Sequence, residues 1–269
     1  GAGYEQMIFD ELYRLMASEL LTIGKLSFQK TLSKFIELKM SNCTVTKINE
    51  IGHNITNILT EHFTEEDIPT SDLAAKAVAI LFTYIHQTVM TDLKHMSKLT
   101  RIEISDRLIL DPTALKNLEI TRSLKDGSKK DTLFDVLNFT RTAMGTRMLR
   151  RWLESPLLDV MAIERRLDAV EELVRNFSLR TNLRDALKEI HDFERLMMKI
   201  EIGTANAIDL IALKNSLRVL PAIIKIMQEL KCDVLMACRD GLGNYDDIVN
   251  LIERAIMDNP KNTIHDGEI

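Results

Sequence analysis

Apolar residues recur every three or four positions along most of this chain, the spacing of helices that bury one side. Ile8, Leu12, Leu15 and Met16 predict a first helix over Glu5–Leu20, and Leu32, Phe35 and Ile36 a second over Phe28–Met40. Cys43–Ile48 is short and prone to β structure. His53–Phe63 reads as another short helix. Glu65-Glu66-Asp67 and Pro69 then break the pattern, so a domain boundary is placed there, with residues 1–67 before it and 68–269 after it. Thr70 or Ser71 is suited to cap the next helix, whose expected buried stripe is Leu73, Ala77, Leu81, Tyr84 and Ile85. Ile102 and Ile104 alternate with Arg101 and Glu103 ahead of Leu108-Ile109-Leu110, the best strand or hairpin candidate.

The second half is punctuated by helix starts. Asp111 can cap, and Pro112 suits a first helical position because it lacks an amide that would be unpaired there. Thr132 and Asp135 have the spacing of a capping box, with Asp in place of the usual Glu. Ala143–Leu153 carries Met144, Met148 and Trp152 on one line, which predicts a core face with Trp152 inside it. Asp159 caps the next helix, where Ile163, Leu167, Val170 and Val174 form a regular stripe with Glu164, Arg165, Asp168 and Glu172 outward. A long helix is expected from Ser178 to Ile202, stopped by Gly203. Ala207–Leu220 and Ala222–Leu230 follow, divided by Pro221. Lys231–Tyr245 reads as a loop after a short helical start, and Asp246–Met257 as the last helix; the tail beyond Pro260 is polar. The fold class expected is mainly α: a multi-helical domain with a small β element, preceded by a short α/β portion.

Composition changes this picture little. A hydrophobic share of 45% supplies enough apolar side chains for a core. No run of about 18 apolar residues occurs, so no membrane span is expected. The first residues mix acids into their apolar stretch and do not resemble a secretory leader. Three cysteines, Cys43, Cys232 and Cys238, form neither an even framework nor a metal-binding pair, and suit a reducing cytoplasm. The formal net charge of −5, with bases mixed among acids, argues against a broad phosphate-gripping face.

Reactive motifs are missing. A phosphate-cradling loop needs a GxxxxGK[ST] pattern, and the nearest run, Gly24-Lys25-Leu26, lacks both the upstream glycine and the hydroxyl residue. None of the six histidines has a partner at metal-ligand spacing. Asp192 and Glu194 follow His191 but point apart if helical, so acid–base chemistry there is not expected. No catalytic, cofactor-binding or metal residue is assigned. The basic cluster Arg147, Arg150 and Arg151 is the one candidate contact, weak, for a phosphate or an acidic partner. Its ordinary alternative is a solvated face paired with Glu154 or other acids.

The order of motifs from Leu110 onward resembles the core, or lever, domain of the MutS mismatch-repair family. Leu110-Asp111-Pro112-Thr113-Ala114-Leu115-Lys116-Asn117-Leu118-Glu119-Ile120 stands where the family opens this domain. Thr132-Leu133, Leu137, Thr140, Thr142, Met144-Gly145, Arg147, Leu149, Trp152-Leu153 and Pro156-Leu157 follow in the family's order. So do Ile163, Arg166, Val170 and Leu173, then Asp192, Glu194, Arg195, Leu196, Lys199 and Ile200, and then Gly203–Leu217. Asp258-Asn259-Pro260 and Asp266–Ile269 resemble the residues before the lever helix. One departure is Ile208, where the family commonly has Arg.

The resemblance implies the end of a connector domain over 1–67 and the first half of the core over 68–269. It implies a segment without enzymatic activity of its own or bound cofactor, drawn from a cytoplasmic, dimeric ATPase. That parent would bind ATP and Mg, enclose mismatched duplex DNA and recruit a MutL-type partner, and the core would relay movement between its ATPase and its DNA clamp. A MutS-like paralogue acting in recombination, or an unrelated helical interaction module, are the alternatives. A Phe-x-Glu wedge in the preceding sequence separates the first, and a phosphate-binding loop in the following sequence the second.

Overall fold

Helices dominate the chain, as the apolar spacing predicts. In this computed structural model residues 2–15, 17–48, 55–89, 99, 107–108, 110–257 and 260 are described. The chain divides into two packing units, one holding residues 1–104 and 109–114 and the other residues 105–108 and 115–269.

The first unit begins with α1 (Ala2–Leu15), shorter than expected, because the chain leaves the helix and enters β1 (Glu19–Ile23). β1 runs parallel to β2 (Thr44–Ile48), with Glu19 opposite Thr44 and Ile23 opposite Ile48. The crossover between them is α2 (Gln29–Lys39). Phe9 on α1 stacks on Phe35, centroids 4.8 Å apart, and joins Leu32, Ile36 and Met40 in a small core. Gly24, at φ 66°, takes the left-handed turn that ends β1. α3 (Ile55–His62) packs with α4 (Asp72–Val89) around Leu59, Phe63 and Phe82. The helices on either side of residue 67 therefore share a core, and the chain's division by packing falls later, between residues 104 and 115. The buried line of α4 also differs from expectation. Ala79 and Phe82 are buried while Leu73 is 79% exposed and Leu81 42% exposed. Phe63, just past the end of α3, and Phe82 of α4 meet edge to face at 5.1 Å.

The second unit is built on α11 (Ala207–Met227), the longest helix described. Its core holds Leu213, Leu217, Leu220, Ile223 and Met227 from α11, Leu179 from α9 (Phe177–Leu187), Leu196 from α10 (Phe193–Glu201), and Val249 and Ile252 from α13 (Asp246–Ala255). Two expectations are corrected here. Pro221 does not divide α11, whose apolar residues on both sides of the proline are held in one core. That packing outweighs the roughly 3 kcal/mol that an interior proline costs a helix. Conversely, Ser178–Ile202 is not one helix. It breaks at residues 188–192, which turns Ile190 into the core and frees Asp192 to cap α10 by accepting from the Arg195 amide at 3.3 Å. Gly203, at φ 74°, ends α10 as expected.

The remaining starts follow the sequence closely. Asp111 accepts from the Ala114 amide at 2.6 Å and opens α5 (Pro112–Asn117). Thr132, buried, caps α6 (Leu133–Leu137) by accepting from the Asp135 amide at 3.2 Å. The return bond of a full capping box goes to the Asp131 amide instead. Thr142 caps α7 (Ala143–Glu154), and Asp159 caps α8 (Val160–Arg175). The segment expected to be mostly loop contains α12 (Asp233–Asp240). The expected strand around Ile102 and Ile104 lies outside the described residues; beside it, Arg107 forms an isolated antiparallel bridge with Leu157.

Candidate functional site

Polar side chains that fasten one helix to the next are the distinctive feature of the second unit. Arg147, on α7, meets both carboxylates at the start of α10. Its Nη1 and Nη2 donate to Asp192 at 2.8 and 2.7 Å, and its Nε donates to Glu194 at 2.8 Å. The paired geometry is what a planar guanidinium gives and an ammonium cannot. Asp192 can serve both Arg147 and the α10 cap because it stands at the helix start, not within it. Hydrogen bonds from Arg147 hold the Asp192 carboxyl below its ordinary pKa, and those carboxylates in turn make the guanidinium harder to deprotonate.

Four further links extend the pattern. Glu172 of α8 accepts from the Lys231 and Cys232 amides at 2.7 and 2.8 Å, pinning the chain where it enters α12, whose N-cap residue makes no side-chain cap bond. Ser216, fully buried on α11, accepts from the His191 amide at 2.9 Å and donates to the Ala212 carbonyl. Lys199 of α10 meets both oxygens of Asp209 at 2.7 and 2.8 Å, and its hydrogen bond lowers the Asp209 pKa. Asp209 also completes a capping box with Asn206 at the start of α11. Arg218 pairs with Glu253 of α13 at 2.8 Å.

The three basic residues singled out in the sequence thus have separate surroundings. Arg147 is engaged between α7 and α10, and Arg150 pairs with Glu154 one turn along at 2.8 Å. Arg151 is exposed and pairs with no carboxylate among the described residues. Sequence reasoning set Asp192 and Glu194 aside as a site and missed Glu172 and Ser216. The Asp192 role carried one legible signal, an Asp three residues before Arg195 at a possible helix start. The partners of Glu172 and Ser216 lie far along the chain and carried none.

The Met144, Met148 and Trp152 line is corrected as well. Met144 touches the core, but Met148 is 53% and Trp152 40% exposed, and no residue of α7 is buried. The Trp152 ring is covered instead by the guanidinium of Arg166, 3.8 Å from its centroid. On α8 the buried position is Ala169, while Leu167, Val170 and Val174 of the expected stripe point outward.

Residues 113–269 match a family model described as MutS domain III. This chain belongs to the MutS family. Its MutS relatives include the DNA mismatch repair protein MutS of Ruminiclostridium cellulolyticum, 36% identical over 97% of the chain. The MutS of Symbiobacterium thermophilum is 37% identical over the whole chain, and one from Clostridium botulinum 34% over 98%. The chain spans about 30% of the length of these MutS relatives, 30%, 31% and 28% in turn. Its mainly helical architecture with a small two-stranded sheet accords with MutS domain III. Among the described residues of this MutS segment no cluster of His, Cys, Asp and Glu could hold a metal, and no helix is long and apolar enough to cross a membrane.

Proposed function

We propose that this chain is the connector end (residues 1–67) and first core portion (68–269) of a cytoplasmic MutS-type mismatch-repair ATPase, a boundary that then lies inside the first packing unit. In this reading the longer protein forms a homodimer, binds ATP and Mg outside this segment, encloses mismatched duplex DNA and recruits a MutL-type partner. The segment itself performs no chemistry. It relays movement between the ATPase and the DNA clamp. The observation that carries this reading is the Arg147 link between α7 and α10, which couples helices through side chains over a distance the backbone does not bridge. The names of the relatives, all DNA mismatch repair proteins, supply the setting.

Two measurements test it. The purified 269-residue chain should turn over no ATP and bind a mismatched duplex more weakly than about micromolar at physiological salt. In the full-length protein, Arg147→Ala should slow ATP-triggered release from a mismatch while leaving binding of nucleotide and of mismatched duplex intact. Unchanged release would defeat the relay, and ATP turnover by the isolated segment would defeat the assignment of chemistry elsewhere.

A further inference from the structure

Some arginines of the second unit are tied to carboxylates. Arg147, Arg150, Arg175, Arg218 and Arg239 each pair with a carboxylate. Arg107 and Arg166 do not, among the described residues. Arg107 is fixed by its bridge to Leu157 and by the neighbouring Leu108 amide, which donates to the Pro156 carbonyl at 2.8 Å. This places it beside the end of α7, close enough to Arg166 for the two positive charges to repel. Arg166 projects from α8 over the Trp152 ring at 3.8 Å. Burial, followed by repulsion from Arg107, makes the Arg166 guanidinium easier to deprotonate than usual. Two like charges held together at a partly covered spot are an unfavourable arrangement that an anion would reverse.

We propose that Arg107, Trp152 and Arg166 form a docking point for a carboxylate on an acidic, apolar-flanked protein segment. Charge complementarity argues for an anion. The setting argues for a protein carboxylate over a DNA phosphate. Trp152, Leu108 and Leu158 around it are 40%, 44% and 51% exposed. A mixed apolar and arginine surface with an exposed tryptophan suits the centre of a protein interface. Surfaces that follow duplex DNA instead mass many cations and are strongly basic, whereas this chain carries a formal net charge of −5. The inference concerns a surface and does not depend on the relay proposed above.

Trp152 is the only tryptophan of the chain, so its emission reports directly on this spot. The full 269-residue chain is titrated with a capped peptide alternating Glu and Leu, with the matching Gln and Leu peptide, with inorganic phosphate, and with a short DNA duplex. The Glu peptide should change the emission saturably and the Gln peptide should not. Arg107→Gln should weaken the Glu peptide by about tenfold or more, with Arg107→Lys in between. On the unaltered chain, raising salt from about 0.05 M to about 0.5 M should weaken it too, a check that needs no variant. No response to the Glu peptide, an equal response to the Gln peptide, insensitivity to both salt and Arg107→Gln, or tighter binding of phosphate or duplex at this spot would each overturn the proposal.

Discussion

Leu217 and Leu167 make a matched pair for testing which faces of the helices carry the stability of the second unit. Both sit within helices, so the intrinsic helix preference of Leu over Ala is common to both and small. They differ in surroundings, with Leu217 8% exposed on α11 and Leu167 59% exposed on α8. Leu217→Ala removes three carbons from the core and leaves a cavity, at a cost of about 2–5 kcal/mol. For a unit of this size, about 3 kcal/mol corresponds to a fall in Tm of roughly 6–12 °C. Leu167→Ala should change stability by no more than about 0.5 kcal/mol. Urea unfolding followed by Trp152 emission reads the second unit selectively, and helical circular dichroism provides an independent probe. The midpoints should separate while the slope against urea stays the same. Comparable losses in the two variants would mean that α8 is turned with Leu167, Val170 and Val174 inward, and would refute the face assignment on which the description of this unit rests.

Other consequences can be measured alongside. Glu172→Ala removes the acceptors of the Lys231 and Cys232 amides and should cost about 1–3 kcal/mol, with faster hydrogen exchange confined to those two amides and the start of α12; uniform exchange changes would contradict this local tie. Asn206→Ala should cost about 0.5–2 kcal/mol by chemical denaturation through loss of the α11 capping box, and a neutral result would show that the box contributes nothing. Asp192 and Asp209 are held below their ordinary value of 3.8, so their contribution is complete above that value and is lost as pH falls through the lower folded-state values. Urea midpoints should therefore drop below about pH 4, and less steeply in Asp192→Asn; a variant as acid-sensitive as the parent would remove Asp192 from that account. Arg147→Lys should release α7 nearly as much as Arg147→Ala, read by hydrogen exchange across Ala143–Glu154, since one ammonium cannot reproduce the two-pronged contact.

Helix starts were the most legible part of this chain. Asp111, Thr132 and Asp159 each cap where they stand, because a cap depends on residues two or three positions away, whereas the expected start at Ser178 falls inside α9. Helix faces were less legible. The buried residues are Ala79 and Phe82 on α4 and Ala169 on α8, and an alanine weighs little in an apolar pattern. The larger Leu and Val residues nearby therefore drew the stripe to the wrong side. β1 was hidden because Leu20 and Leu21 extend the apolar spacing of α1, and its pairing with β2 arises across the intervening α2. The break before Asp192 was obscured by the regular spacing of Leu183, Leu187 and Ile190, which fits an unbroken helix as well as the turn that is present. Arg147 was recognised as notable from its sequence setting, but its partners 45 and 47 positions away were not.

Pro221 gives α11 a mechanical property that its length alone would not. Without an amide at this position, the Leu217 carbonyl has no partner in the helical ladder. The ladder is therefore one rung short within a helix that continues through it. The core grips both sides of the gap, so side-chain packing does the work of the missing bond, and Pro221→Ala would restore that bond within a rod already held together.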